Sequence, residues 1–159
     1  LGLVAPAAAI GQDSAPADRG WRLGAGVGIY RVDDLAGTPV VPATRLERVA
    51  GRGVSSFELY YIRHAGFYGL DALGADLGLG VRQSRRGGEL GALAGASGML
   101  GGDGDGTPYV AAGVHAAVQG IAWLDQGVGL SLRGTARFWI TAANSRFMPS
   151  LVAGLVIKL

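Results

Sequence analysis

The chain has no cysteine, which excludes disulfide scaffolds, thiolate metal sites and cysteine nucleophiles together. Charge is also scarce: Asp, Glu, Lys and Arg make up 16% of the 159 residues. The basic residues are thirteen arginines and one lysine, Lys158, scattered along the chain, and the formal net charge is +2. Nucleic-acid binding draws on a basic stripe with aromatics interleaved, and aromatics amount to only 8% here, so nucleic acid is not expected as a partner. What the chain has in excess is glycine, 29 residues, within a composition that is 49% hydrophobic at a mean hydropathy of +0.31. Average glycine usage is about 7%. There is no collagen period, and the glycines fall inside apolar runs, which argues against disorder. A glycine-rich, apolar, charge-poor chain of this length fits a single membrane domain or a tightly packed β domain.

Residues 1–20 read LGLVAPAAAIGQDSAPADRG. The apolar run to Ile10, with Ala7-Ala8-Ala9 as an Ala-x-Ala cleavage pattern, reads as the remnant of a signal peptide followed by a polar linker. The alternative is a flexible Ala/Pro-rich leader. The remaining 21–159 read as one domain.

That domain alternates with period two, as a β-strand requires. Trp21, Leu23, Ala25, Val27 and Ile29 share one parity against Arg22, Gly24, Gly26, Gly28 and Tyr30. Val128, Leu130, Leu132, Ala136, Phe138 and Ile140 oppose Gly129, Ser131, Arg133, Thr135, Arg137 and Trp139. Leu151, Ala153, Leu155, Ile157 and Leu159 oppose Val152, Gly154, Val156 and Lys158. Segments 54–64, 67–82, 89–100 and 107–123 alternate less crisply. Segment 43–50 alternates least clearly, with Arg45 and Glu47 on one face, and brings the number of strands to eight. A transmembrane helix over 107–124 is a rival, since that stretch carries no Asp, Glu, Lys or Arg. Pro108, His115, Gln119 and the sustained parity oppose it. A soluble β-barrel is a second rival, but a water-facing parity made of Gly, Ala and Ser is unusual.

The expected connections sort into two sets. Arg31–Pro42, Ala65–Gly66, Gly101–Gly106 and Thr141–Pro149 alternate with Gly51–Gly53, Ser84–Gly88 and Leu124–Gln126. Outer-membrane barrels combine short periplasmic turns with longer external loops, and closure leaves no unpaired edge in the bilayer. The fold expected is therefore all-β: an antiparallel up-and-down transmembrane barrel of about eight strands, filled by its own side chains rather than open as a pore.

The stretches PYVAAGVHAAVQG, GVGLSLRGTARFW and SLVAGLVIKL resemble the last three strands of the small eight-stranded outer-membrane barrels of the OmpA, OmpX and opacity-protein kind. The likeness is one of pattern over Trp21 to Leu159. Barrels of this kind typically end on an aromatic residue where this chain has Leu159. The resemblance implies a bacterial outer-membrane address, contact with outer-membrane lipid, and a structural or partner-binding role toward an envelope or extracellular protein. It implies no cofactor.

On the inward parity, Arg22, Glu58, Asp76, Arg82, Glu89, His115, Arg133, Arg137 and Lys158 would share one lumen. The plain reading is a network of ion pairs, because unpaired charge away from water is costly. The sharper reading is a polar path or ligand site. A lipid-modifying enzyme is the alternative function, but no His-Ser pair lies on any strand: Ser145 follows Asn144, and neither His64 nor His115 has an adjacent serine. No catalytic residue is therefore assigned. GDGDG at 102–106 offers two carboxylates, too few for calcium, and reads as a tight loop rather than a metal site. Gly24-x-Gly26-x-Gly28 opens no helix and is no phosphate cradle. Trp21, Tyr30, Tyr68, Tyr109, Trp123, Phe138 and Trp139 fall near strand ends, where a sparse interfacial girdle would lie.

Overall fold

A computed structural model describes residues 19–31, 40–63, 71–102, 108–140 and 145–159. Residues 1–18, His64, the Ala65–Gly66 connection, Tyr68 and most of GDGDG lie outside the described residues, as does the side chain of Tyr109.

Eight strands form in chain order: β1 (Arg19–Tyr30), β2 (Val40–Ala50), β3 (Gly53–Arg63), β4 (Asp71–Arg85), β5 (Gly88–Gly102), β6 (Pro108–Trp123), β7 (Val128–Ile140) and β8 (Ser145–Lys158). Each pairs antiparallel with its sequence neighbours, and β8 returns to β1 in a register running from Arg22↔Lys158 to Tyr30↔Ser150. The sheet is a closed barrel. The 107–124 stretch is thus a strand, not a helix, over Pro108–Trp123, and no described helix is long and apolar enough to cross a membrane.

Alternation decides the two faces. Leu77, Leu79, Val110, Val118, Leu130, Leu132 and Leu155 stand outward and exposed, while Arg133, Arg137, Glu58 and Asp76 on the opposite parity are buried. A soluble ligand-binding barrel would need Leu130 and Leu132 inside, and they are about half exposed on the outer wall (50% and 52%).

Two of the short connections are two-residue hairpin turns at 51–52 and 86–87. Such turns favour positive φ to match strand twist, and Gly51 (φ 62°) and Gly87 (φ 73°) supply it. At 124–127 the Asp125 carboxylate accepts from the N–H of Gly127 and of Val128, both at 2.6 Å.

Strand limits depart from the sequence reading at the prolines. Pro42 lies inside β2 and Pro149 inside β8, although proline cannot donate to a ladder. Both sit where one neighbour has already ended. Pairing of β2 with β3 begins at Ala43↔Tyr60, and pairing of β1 with β8 ends at Tyr30↔Ser150.

Inside, two apolar layers flank a polar middle. Toward the longer connections, Tyr30, Val41, Ile62, Ala72, Met99, Ala111, Trp139 and Met148 pack together. Toward the tight turns, Val49, Val54, Leu93 and Ala117 form a smaller layer. Tyr30 and Trp139 therefore belong to the interior and not to an interfacial girdle, because they share parity with Arg22 and Arg137. Trp21 and Phe138 do face outward.

Candidate functional site

The strand register sorts the inward charges into two groups. Glu58 on β3 faces Asp76 on β4, and His115 on β6 faces Arg137 on β7, so the central residues converge from opposite walls. Arg137 is the hub. Its Nε and Nη2 donate to Asp76 Oδ2 at 2.9 and 2.6 Å, Nη2 reaches Glu58 Oε1 at 3.2 Å, and Nη1 donates to Ser150 Oγ at 2.7 Å. Its guanidinium lies over Tyr60 at 4.4 Å and over Tyr30 at 5.1 Å from the ring centroids. Stacking of this kind strengthens as water is removed. Gly74 makes the arrangement fit: a Cβ there would collide with the Tyr60 ring.

One layer nearer the turns, Arg133 pairs with Glu58 at 3.4 Å and Glu47 at 3.9 Å, and donates to Gln119 Oε1 at 3.3 Å. Arg45 pairs with Glu47 at 2.9 Å and Glu58 at 3.7 Å. Arg45 and Glu47 stand on one strand two residues apart, and both are buried. They are not among the lumen residues expected from the sequence, although their parity with the buried Ala43 and Val49 is the signal that places them there. The central group is thus Arg45, Arg133 and Arg137 against Glu47, Glu58 and Asp76, balanced in charge. A cavity of about 10 Å³ lies beside Arg45 and Glu58, lined also by Gly24, Gly26 and Val152.

His115 enters the same region. Its Nδ1 lies 3.0 Å from Ser97 Oγ, across the β5–β6 pair, and Gly78 leaves room for its ring. No sequence adjacency shows this pair, since 18 residues separate the two. A serine at this distance from an imidazole has the spacing of a nucleophile and its base. Both side chains are buried on the inward face, however, and the lipid-facing wall does not reach them.

The second group sits at the turn end. Arg22 makes a two-pronged contact with Glu89, Nη1 to Oε1 at 2.7 Å and Nη2 to Oε2 at 3.1 Å. Arg82 donates to the same carboxylate and, through Nε, to the carbonyl of Gly51 at 2.9 Å. The tight turn at 51–52 is thereby tied to the lumen. Lys158 is not enclosed with them. It has the inward parity but is exposed at the barrel mouth, where its Nζ lies 4.3 Å from the Trp123 ring centroid. The reason is position: it is the last residue of β8, beyond the end of the packed interior. The nine inward charges expected to share one lumen therefore divide: Glu58, Asp76, His115, Arg133 and Arg137 at the centre, Arg22, Arg82 and Glu89 at the turn end, and Lys158 at the mouth.

No protein-family model matches the chain, and no curated protein matches it by sequence. Solved structures do match. The N-terminal β-barrel domain of Pseudomonas aeruginosa OprF is similar at a TM-score of 0.65 and 5% identity, covering 89% of this chain and 100% of that one. Neisserial surface protein A is similar at 0.63 and 11% identity, over 87% of this chain and 96% of that one. Ail, the attachment invasion locus protein of Yersinia pestis, is similar at 0.58 and 8% identity, over 90% of this chain and 99% of that one. This chain has the fold of the small eight-stranded outer-membrane barrels. At such identities the likeness is one of fold; within it this chain holds a balanced network around Arg137, with apolar layers on either side.

Proposed function

We propose that the chain is an outer-membrane β-barrel without an open pore, serving the bacterial envelope in a structural or partner-binding role. The observation that carries this reading is the outer wall. Around all eight strands the outward parity is apolar, and the exposed charges of the wall stand near strand ends, as at Arg48, Arg63 and Arg85. Among the described residues the packed interior supports the absence of a pore, since buried apolar side chains lie on either side of the central ion pairs. Residues 1–20 would be the export remnant and linker, and 21–159 the barrel. The surface offered to an envelope or extracellular protein partner would be the longer connections, those following β1 and β7.

Gel migration in detergent tests the reading: the unheated protein should run as a compact species that heating converts to a slower one. Recovery in the soluble fraction without detergent would overturn it. In planar bilayers the folded protein should give no steady conductance, and regular conductance steps would overturn the closed interior.

A further inference from the structure

The turn end of the barrel carries a surplus of positive charge. Arg19, Arg48, Arg52, Arg85, Arg86 and Lys158 are all exposed there. Among the described residues the exposed acid at that end is Asp125, and its carboxylate is already engaged by two backbone N–H groups. Glu89 is turned inward onto Arg22 and Arg82.

At this same end the outer wall is concave. A groove of about 610 Å³ runs over β4 to β8, lined by Gln83, Arg85, Leu90, Ala122, Leu130 and Leu132. It exists because Gly120, Ala122 and Ala153 have little or no side chain between the larger flanking leucines. The groove is apolar along its length and cationic at the end nearest the turns. That polarity matches an amphiphile with a hydrocarbon tail and an anionic head, and a soluble anion would gain nothing from the apolar part.

We propose that this groove is a site for an anionic phospholipid of the leaflet beside the turns, its acyl chain over Ala122 and Leu132 and its phosphate on Arg85, with Arg86 adding to the field. The site rests on the membrane reading above, and the experiment separates the two. Protein folded into vesicles of phosphatidylcholine with phosphatidylglycerol is extracted gently, and retained lipid is counted by native mass spectrometry. Phosphatidylglycerol should be retained over phosphatidylcholine, and the preference should fall about fivefold for each of Arg85→Gln and Arg86→Gln. Ala122→Phe fills the groove without touching charge and should also release the lipid. Equal retention of the two lipids by the unaltered protein overturns the site. So does a preference that survives Ala122→Phe, since that preference would belong to the basic rim alone. Failure to insert into either vesicle overturns the membrane reading itself, and the site with it.

Discussion

The centre of the barrel and its turn end use the same residue types under different rules. At the centre, three arginines and three carboxylates are closed between apolar layers, and their charges cancel. At the turn end, Arg22 and Arg82 share Glu89, with Lys158 outside them, and positive charge is left over. Arg22, Arg82 and Glu89 are themselves buried, so the difference lies in their neighbour: Lys158, beyond the end of the packed interior, reaches solvent. An ion without a partner is expensive in an enclosed interior and cheap at a wet mouth. The centre must be neutral to exist, whereas the mouth is free to carry a surplus.

The comparison breaks most directly at Arg137. Arg137→Leu leaves Asp76 and Glu58 buried without their main donor, and stability should fall by about 3–5 kcal/mol, the usual cost of removing one partner of a buried ion pair. Urea unfolding of the lipid-inserted protein measures it; a loss below 1 kcal/mol would show that water reaches the centre. Glu89→Gln should cost less, about 1.5 kcal/mol, near the low end for a hydrogen bond to a charged group. The same titration reads it, and a loss equal to that of Arg137→Leu would erase the contrast between the two regions.

The smallest effect belongs to the wet turn at 124–127. Backbone N–H donation from Gly127, and then from Val128, holds the Asp125 carboxyl below its ordinary value of 3.8. A depressed folded-state value means that the turn gains stability from the carboxylate above the unfolded value. That gain is lost as pH falls through the folded one. Asp125→Ala should therefore be slightly less stable than the parent at neutral pH and indistinguishable from it once the carboxyl is protonated. A difference that persists in acid would mean that the charge is not the cause.

Period-two alternation made the barrel legible because lipid and lumen impose opposite demands on adjacent residues. Trp21–Ile29, Val128–Ile140 and Leu151–Leu159 show it in their sequence alone. Other features depend on register, which a sequence does not print. The Ser97–His115 contact needs β5 and β6 aligned to a residue, and the meeting of Arg137 with Asp76 and Glu58 crosses the lumen from β7 to β3 and β4. Arg45 and Glu47 were hidden for another reason. A strand bearing four charged or hydroxyl residues among five, Thr44 to Arg48 with only Leu46 between, looks poorly apolar until its partners across the barrel are known. Lys158 shows the converse limit: parity gives a side chain its direction but not its depth.

The seam between β1 and β8 sets how the ring can shut. Gly26 and Gly154 face each other there, and a Cβ on either would strike the backbone of the opposite strand. These strands lie at opposite ends of the chain, so their union is the most distant contact the polypeptide must make. With bare backbone at the meeting point, no side chain has to find its slot before the hydrogen bonds can join. The join is thereby tolerant of sequence along much of its length except at Gly26, Gly28 and Gly154, where an added Cβ would strike the strand opposite.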